Sequence, residues 1–87
     1  MTDKTTEFQT REEVLAMALK ARENEVMMYQ INIDNYQLAL EEISSLSIEE
    51  QSELSEFAQQ LRTLLMSEIA EQKKAKIMLK VIQRQVT

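Results

Sequence analysis

The segment EEISSLSIEE, residues 41–50, decides the fold, because it holds the chain's only internal cluster of helix-breaking polar residues. Within it, Ser44-Ser45-Leu46-Ser47 supplies a helix end and a short connection without glycine. Ser47-Ile48-Glu49-Glu50 then has the S/T-x-x-E form of a capping box, in which a hydroxyl and a carboxylate accept from the free N–H groups at a helix start. Residues 44–47 are therefore predicted to form one tight turn, with strain expected at one of them.

Working outward from this turn, the sequence predicts a long helix on each side. Thr10-Arg11-Glu12-Glu13 repeats the capping-box form, so the first helix is expected over 11–44 and the second over 48–85. Residues 1–9 are expected to be a flexible tail unless Phe8 packs on the first turn. The predicted fold class is all-α, with residues 10–87 forming an antiparallel helical hairpin.

The first helix carries an apolar line at alternating spacings of four and three residues, the pattern of a helix packed lengthwise against another. Its members are Leu15, Leu19, Arg22, Val26, Tyr29, Ile33, Tyr36, Leu40 and Ile43. Further apolar residues widen this surface beyond what one partner helix covers: Val14, Met17, Ala18, Ala21, Met28, Ile31 and Leu38. More than one neighbouring helix is implied.

The second helix has a matching line in two parts, separated by a polar stretch at 71–76. Leu54, Ala58, Leu61, Leu65 and Ile69 form the first part, and the second lies within 77–86. A lone hairpin leaves its outer apolar surface exposed to water, and one hydrophobic core rarely stabilises a chain this short. We expect self-association into a homodimeric four-helix bundle, or a higher oligomer.

Composition excludes most catalytic chemistry. The 87 residues include no His, Cys, Gly, Pro or Trp, so there is no imidazole base, thiolate or phosphate-cradling glycine loop. No cofactor, no metal and no enzymatic activity are expected. No apolar run approaches the roughly 18 residues of a membrane span and no secretory signal is evident, so the chain reads as cytoplasmic.

Arg22 is the one charged residue of the first apolar line. In a hairpin turning at 44–47 it lies level with Glu68, Ile69 and Gln72. Arg22, Glu68 and Gln72 are therefore predicted to form a polar layer that fixes register. The alternative is an internal site for a small anionic ligand, as in a sensor or sponge.

The net charge of -5 is distributed unevenly. Residues 34–71 carry nine acids and one base, which makes the turn end of the hairpin strongly negative. We call the carboxylates there the acidic tip: Glu41, Glu42, Glu49, Glu50, Glu53 and Glu56. It is either a solvated surface or a docking surface for a protein with a basic surface.

The opposite end carries a basic stripe, Lys73, Lys76, Lys80 and Arg84, at spacings of three, four and four residues. This stripe is the candidate nucleic-acid contact of an accessory protein. The chain as a whole is acidic and lacks an aromatic stacking platform, so nucleic acid is not the partner we favour.

Residues 49–53, with 68–71, resemble the E-E-x-x-E and E-x-x-D segments of the all-α MazG-type nucleotide pyrophosphatases. That resemblance covers about a quarter of the chain, ends in Glu71 rather than Asp, and implies carboxylates that hold magnesium. On one continuous helix Glu53 and Glu68 would lie about 22 Å apart, so only pairing between subunits would bring them to one ion.

The function favoured by these patterns is that of a small acidic homo-oligomer that acts by protein–protein interaction, as an inhibitor, adaptor or regulator. Its size and charge also suit a phage or mobile-element inhibitor of a host enzyme, including one that imitates the phosphate charge of DNA. In that case the cytoplasm would be that of the host cell.

Overall fold

The computed structural model describes residues 10–86, and all of these except Thr10, Ser45, Leu46, Ser47 and Leu54 are helical. Helix α1 spans Arg11–Ser44, α2 spans Ile48–Glu53 and α3 spans Ser55–Val86. The two long helices pack against each other in an extended molecule of 70 × 28 × 16 Å. The predicted all-α helical hairpin is confirmed. The tail predicted for residues 1–9, with Phe8, lies outside the described residues.

Both predicted capping boxes are present. The Thr10 hydroxyl accepts from the Glu13 backbone N–H at 3.1 Å, and the Glu13 carboxylate accepts from the Thr10 N–H at 2.8 Å. Ser47 and Glu50 make the same pair of contacts at the start of α2. These bonds satisfy backbone donors that have no partner inside the helix, so each helix begins where its cap lies.

The first apolar line is the buried side of α1. All nine of its positions, from Leu15 to Ile43, are buried or half-buried, with Ile33 the most enclosed. On α3 the contact is made by residues at the same alternating spacing: Ala58, Leu61, Leu65, Glu68, Gln72, Ala75, Leu79 and Ile82. We call these two facing lines the seam. It continues through the polar stretch at 71–76 without a change of phase, because Gln72 and Ala75 occupy regular positions.

The connection between the long helices differs from the predicted tight turn. Where one helix over 48–85 was expected, the structure has the short helix α2, then Leu54 with φ -100° and ψ 13°, and then α3. Ser45 and Ser47 both have negative φ, so neither has the backbone strain expected of a turn without glycine. Because α2 belongs to the connection, α1 and α3 pair in a register shifted from the one predicted.

Candidate functional site

The structure separates the predicted polar layer. Arg22 pairs with Glu25 on its own helix at 2.9 Å, whereas the Asn32 side-chain amide donates to the Glu68 carboxylate at 2.7 Å. Asn32 is ten residues, or about 15 Å, along α1 from Arg22. The prediction that Arg22 lies level with Glu68 and Gln72 is therefore wrong. The extra length of connection contributed by α2 explains the shift.

Gln72 is the polar centre of the seam. Only 7% of the residue is exposed, and its side-chain amide donates to the Val26 carbonyl at 3.2 Å and to the Gln30 side-chain oxygen at 2.9 Å. Within the described part of the chain, every buried side-chain nitrogen or oxygen has a partner. Gln72 therefore occupies an apolar interface without an unpaired polar group. Gln30, the side-chain partner of Gln72, and Asn32, the partner of Glu68, were missed from sequence because they lie beside the apolar line rather than in it.

The acidic tip is assembled from four helix ends, which belong to three helices. Glu41 and Glu42 lie at the end of α1, Glu49 and Glu50 in the first turn of α2, Glu53 at the end of α2 and Glu56 in the first turn of α3. All six residues are exposed. Glu50 belongs to the capping box of α2, and its carboxylate accepts a hydrogen bond from the Ser47 hydroxyl at 3.0 Å. The other five carboxylates make no hydrogen bond or ion pair with any described residue.

Neutral groups, not cations, close the end of α1 beside these carboxylates. The Ser44 and Ser45 hydroxyls donate to the Glu41 and Glu42 carbonyls, both at 2.7 Å. The Gln51 side-chain amide donates to the carbonyls of Ser44 at 3.2 Å and Leu46 at 2.8 Å. No basic residue lies in the last turn of α1, so its negative dipole end and the tip carboxylates reinforce one another.

Ile48, a residue that the sequence reasoning missed, lies among these carboxylates. It is 86% exposed, the highest value among the exposed large apolar residues of the described chain. Since it follows Ser47 directly and precedes Glu49, it lies at the hairpin end with charged neighbours. An apolar side chain within a charged rim is the arrangement of many protein-binding sites.

The basic stripe lies at the open end of the hairpin, where the Arg11 guanidinium donates to Gln85 at 3.2 Å. Lys73, Lys76, Lys80 and Arg84 are all exposed. The neighbouring Lys74 instead pairs with Glu71 at 2.9 Å, and this hydrogen bond and the attraction of its charge raise the pKa of Lys74. The stripe thus remains a surface of positive charge on α3.

A second surface is apolar. Phe57, Leu64 and Met78 are exposed. They and Gln85 are separated along the chain by seven or fourteen residues, so all four lie on one side of α3. Gln85 contacts Arg11 on α1, which places this side next to α1. Val14 and Met28, also exposed, continue the surface on α1, and Val81 lies one turn from Met78. We call this surface the apolar face: Val14, Met28, Phe57, Leu64, Met78 and Val81.

The basic stripe and the apolar face point in opposite directions. Successive helical residues are about 100° apart, so Lys76 and Lys80, each two residues from Met78, lie about 160° around α3 from it. A partner seated on the apolar face therefore leaves these lysines uncovered.

The carboxylates of the MazG-type resemblance are not brought together. Glu53 ends α2, while Glu68 lies well inside α3 and is bonded to Asn32. The described residues contain no group of three or more Asp or Glu side chains that could hold a metal ion, and no described helix is long and apolar enough to cross a membrane.

Comparison of the chain with protein-family models, curated proteins and solved structures gave no match.

Proposed function

We propose that this protein acts by binding another protein that has a basic surface, and that the acidic tip is its docking surface. The observation that carries this proposal is the set of five exposed carboxylates, on four helix ends, with no partner in the described chain. Concentrated negative charge steers a basic partner and selects against acidic ones.

Local helix energetics do not account for this charge. Glu49 and Glu50 are favourable at the positive end of the α2 dipole, but Glu41 and Glu42 lie at the negative end of α1, where a carboxylate is mildly unfavourable. Neither pairs with a cation of the described residues. A docking role supplies the reason for placing them there.

Ile48 complements the carboxylates as the apolar contact of the same surface. Charged groups at the rim of an interface contribute mainly to association rate and specificity, while buried apolar contacts contribute more of the affinity. The mechanism proposed is steric and electrostatic occlusion of a basic surface, including one that otherwise binds nucleic acid.

The test is affinity capture from lysate by the whole protein, compared with the quadruple variant Glu41→Lys, Glu42→Lys, Glu49→Lys and Glu53→Lys. Wild-type protein is expected to retain a basic protein that the variant loses and that elutes as salt is raised. The control has two charge reversals, Glu12→Lys and Glu23→Lys, at residues that are exposed and away from the tip. Equal capture by the tip variant would remove the docking role.

The basic stripe supports a second candidate, contact with nucleic acid. Lys73, Lys76 and Lys80 form an exposed line that faces away from the apolar face. Titration of duplex and single-stranded DNA at low salt, with a triple Lys→Glu variant as the control, tests it. Salt-dependent binding that the variant loses favours this candidate, and no binding at low salt excludes it.

Self-association is the other part of the proposal. Fourteen large apolar residues of the described chain are exposed, while five hydrophobic residues are buried. Because more large apolar residues are exposed than hydrophobic residues are buried, the chain gains stability when a second copy covers its outer surface.

A further inference from the structure

We infer that two copies of this chain pack through the apolar face as an antiparallel dimer, with the acidic tip of each beside the open end of the other. This rests on the proposed self-association and adds to it the surface, the orientation and the residues that meet. Three properties of the apolar face support it: its symmetry, its size and the charges at its two ends.

The apolar face is arranged symmetrically along the hairpin. The Asn32–Glu68 and Gln30–Gln72 hydrogen bonds fix which residues of α1 and α3 lie level. In that register Met28 lies near the middle of the face, with Met78 about 10 Å toward the open end and Leu64 about 10 Å toward the tip. Val14 and Phe57 lie about 20 Å from Met28, one on each side. A half-turn about an axis that passes through Met28 and crosses both helices therefore brings Met28 over Met28 of the second copy and Leu64 over Met78.

The charges decide the orientation. Residues 31–70, the tip half, carry eight acids and one base, whereas residues 10–30 and 71–86 carry five acids and eight bases. Two copies packed tip to tip place two strongly negative halves together. The antiparallel arrangement instead places each negative half alongside the half with a net positive charge, so the long-range electrostatic interaction favours it, while Lys76 and Lys80 themselves face away from the interface.

The size of the face matches that of a stable interface. Its apolar residues extend over about 42 Å along the hairpin, and two adjacent helices are about 20 Å wide. The resulting surface of roughly 800 Å² per copy is what specific protein–protein interfaces bury on each partner. One second copy therefore covers the face.

The antiparallel dimer makes specific contacts. Its two-fold axis lies in the plane of the interface and is perpendicular to the long axis of the hairpin. Helix α1 therefore packs on α1 of the second copy, and α3 packs on α3. Met28 then meets Met28 of the second copy, and Leu64 meets Met78.

Sedimentation of the full chain at micromolar concentration tests the surface. We expect twice the chain mass of 10.2 kDa for the wild type. Met28→Glu buries a carboxylate at the axis and should raise the dissociation constant by more than about tenfold. Met66→Glu is the matched control, since Met28 and Met66 are 65% and 71% exposed and Met66 lies off the face. That variant should stay within about twofold of the wild type.

Cross-linking tests the orientation, and the absence of cysteine makes it simple. A mixture of Leu64→Cys and Met78→Cys chains should form the mixed disulfide in preference to either symmetrical one. Preference for the symmetrical disulfides would overturn the antiparallel orientation and leave self-association intact. A dimer insensitive to Met28→Glu but disrupted by Met66→Glu would overturn the choice of face. A monomer throughout would overturn self-association itself, while the tip proposal keeps its separate capture test.

Discussion

The seam and the apolar face are both apolar surfaces with a seven-residue repeat, yet only the seam is covered within the chain. They differ in how their polar groups are paired. In the seam, Gln72 and Glu68 bond to groups of the other helix. On the apolar face, Glu71 pairs with Lys74 of its own helix. Periodicity alone thus does not tell the two surfaces apart, whereas polar groups paired between the helices mark the one that is covered within the chain.

The largest expected difference between the two surfaces is at Leu61 and Leu64, three residues apart on α3. Leu61 is 6% exposed in the seam and Leu64 is 46% exposed on the apolar face. Leu61→Ala should lower the free energy of unfolding by about 2–5 kcal/mol, as is typical for a buried leucine. Leu64→Ala should cost less than about 1 kcal/mol in hairpin stability and weaken self-association instead.

Chemical denaturation at several protein concentrations separates these effects, because loss of dimerisation changes the concentration dependence of the midpoint. Equal losses in the two variants, with no difference in concentration dependence, would show that the face is not a separate surface.

A smaller effect is expected at Gln72, the polar member of the seam. Gln72→Ala removes two hydrogen bonds and leaves a cavity, which should cost about 1–3 kcal/mol. Gln72→Leu restores the volume, and Gln30, which is exposed, can then bond to water. We therefore expect Gln72→Leu to remain within about 1 kcal/mol of the wild type. Thermal unfolding of both variants checks this, and a large loss in Gln72→Leu would mean that the amide itself holds the register.

Periodicity and capping predicted much of the hairpin. All nine residues named in the first apolar line, from Leu15 to Ile43, are buried or half-buried. The Thr10 and Ser47 capping boxes mark the starts of α1 and α2. These features are local or repeat along one helix, so they can be counted without knowing the partner.

The register and the acidic tip's construction needed the structure. Leu54 is an ordinary helix former, and nothing in its neighbours except Ser52 and Ser55 signals that α2 and α3 are separate. The Gln51 contacts with Ser44 and Leu46 arise only when the chain has turned. The seven residues 48–54, which belong to the connection and not to one long second helix, moved Arg22 away from Glu68, because register in a hairpin follows directly from connection length.

The smallest expected effect is in the first turn of α1, at the capping contact between Thr10 and Glu13. The Glu13 carboxylate accepts from the Thr10 backbone N–H and is near its hydroxyl, and these hydrogen bonds lower the pKa of Glu13. A carboxyl whose pKa is lower in the folded state stabilises the fold above its ordinary pKa, and this contribution is lost as the pH falls through the lowered value. Below about pH 4.3, the ordinary pKa of a Glu side chain, the first turn should therefore begin to fray.

Amide hydrogen exchange of residues 11–14, corrected for the intrinsic effect of pH, measures this fraying. In Glu13→Gln the side-chain oxygen still accepts from Thr10 but does not titrate, so protection should be independent of pH. The amides near Leu61 in the seam and those near Leu64 on the apolar face should show no such change in either protein. Acid-induced exchange spreading equally to both regions would mean that the first turn and the seam open together, and that the hairpin has less local independence than its contacts indicate.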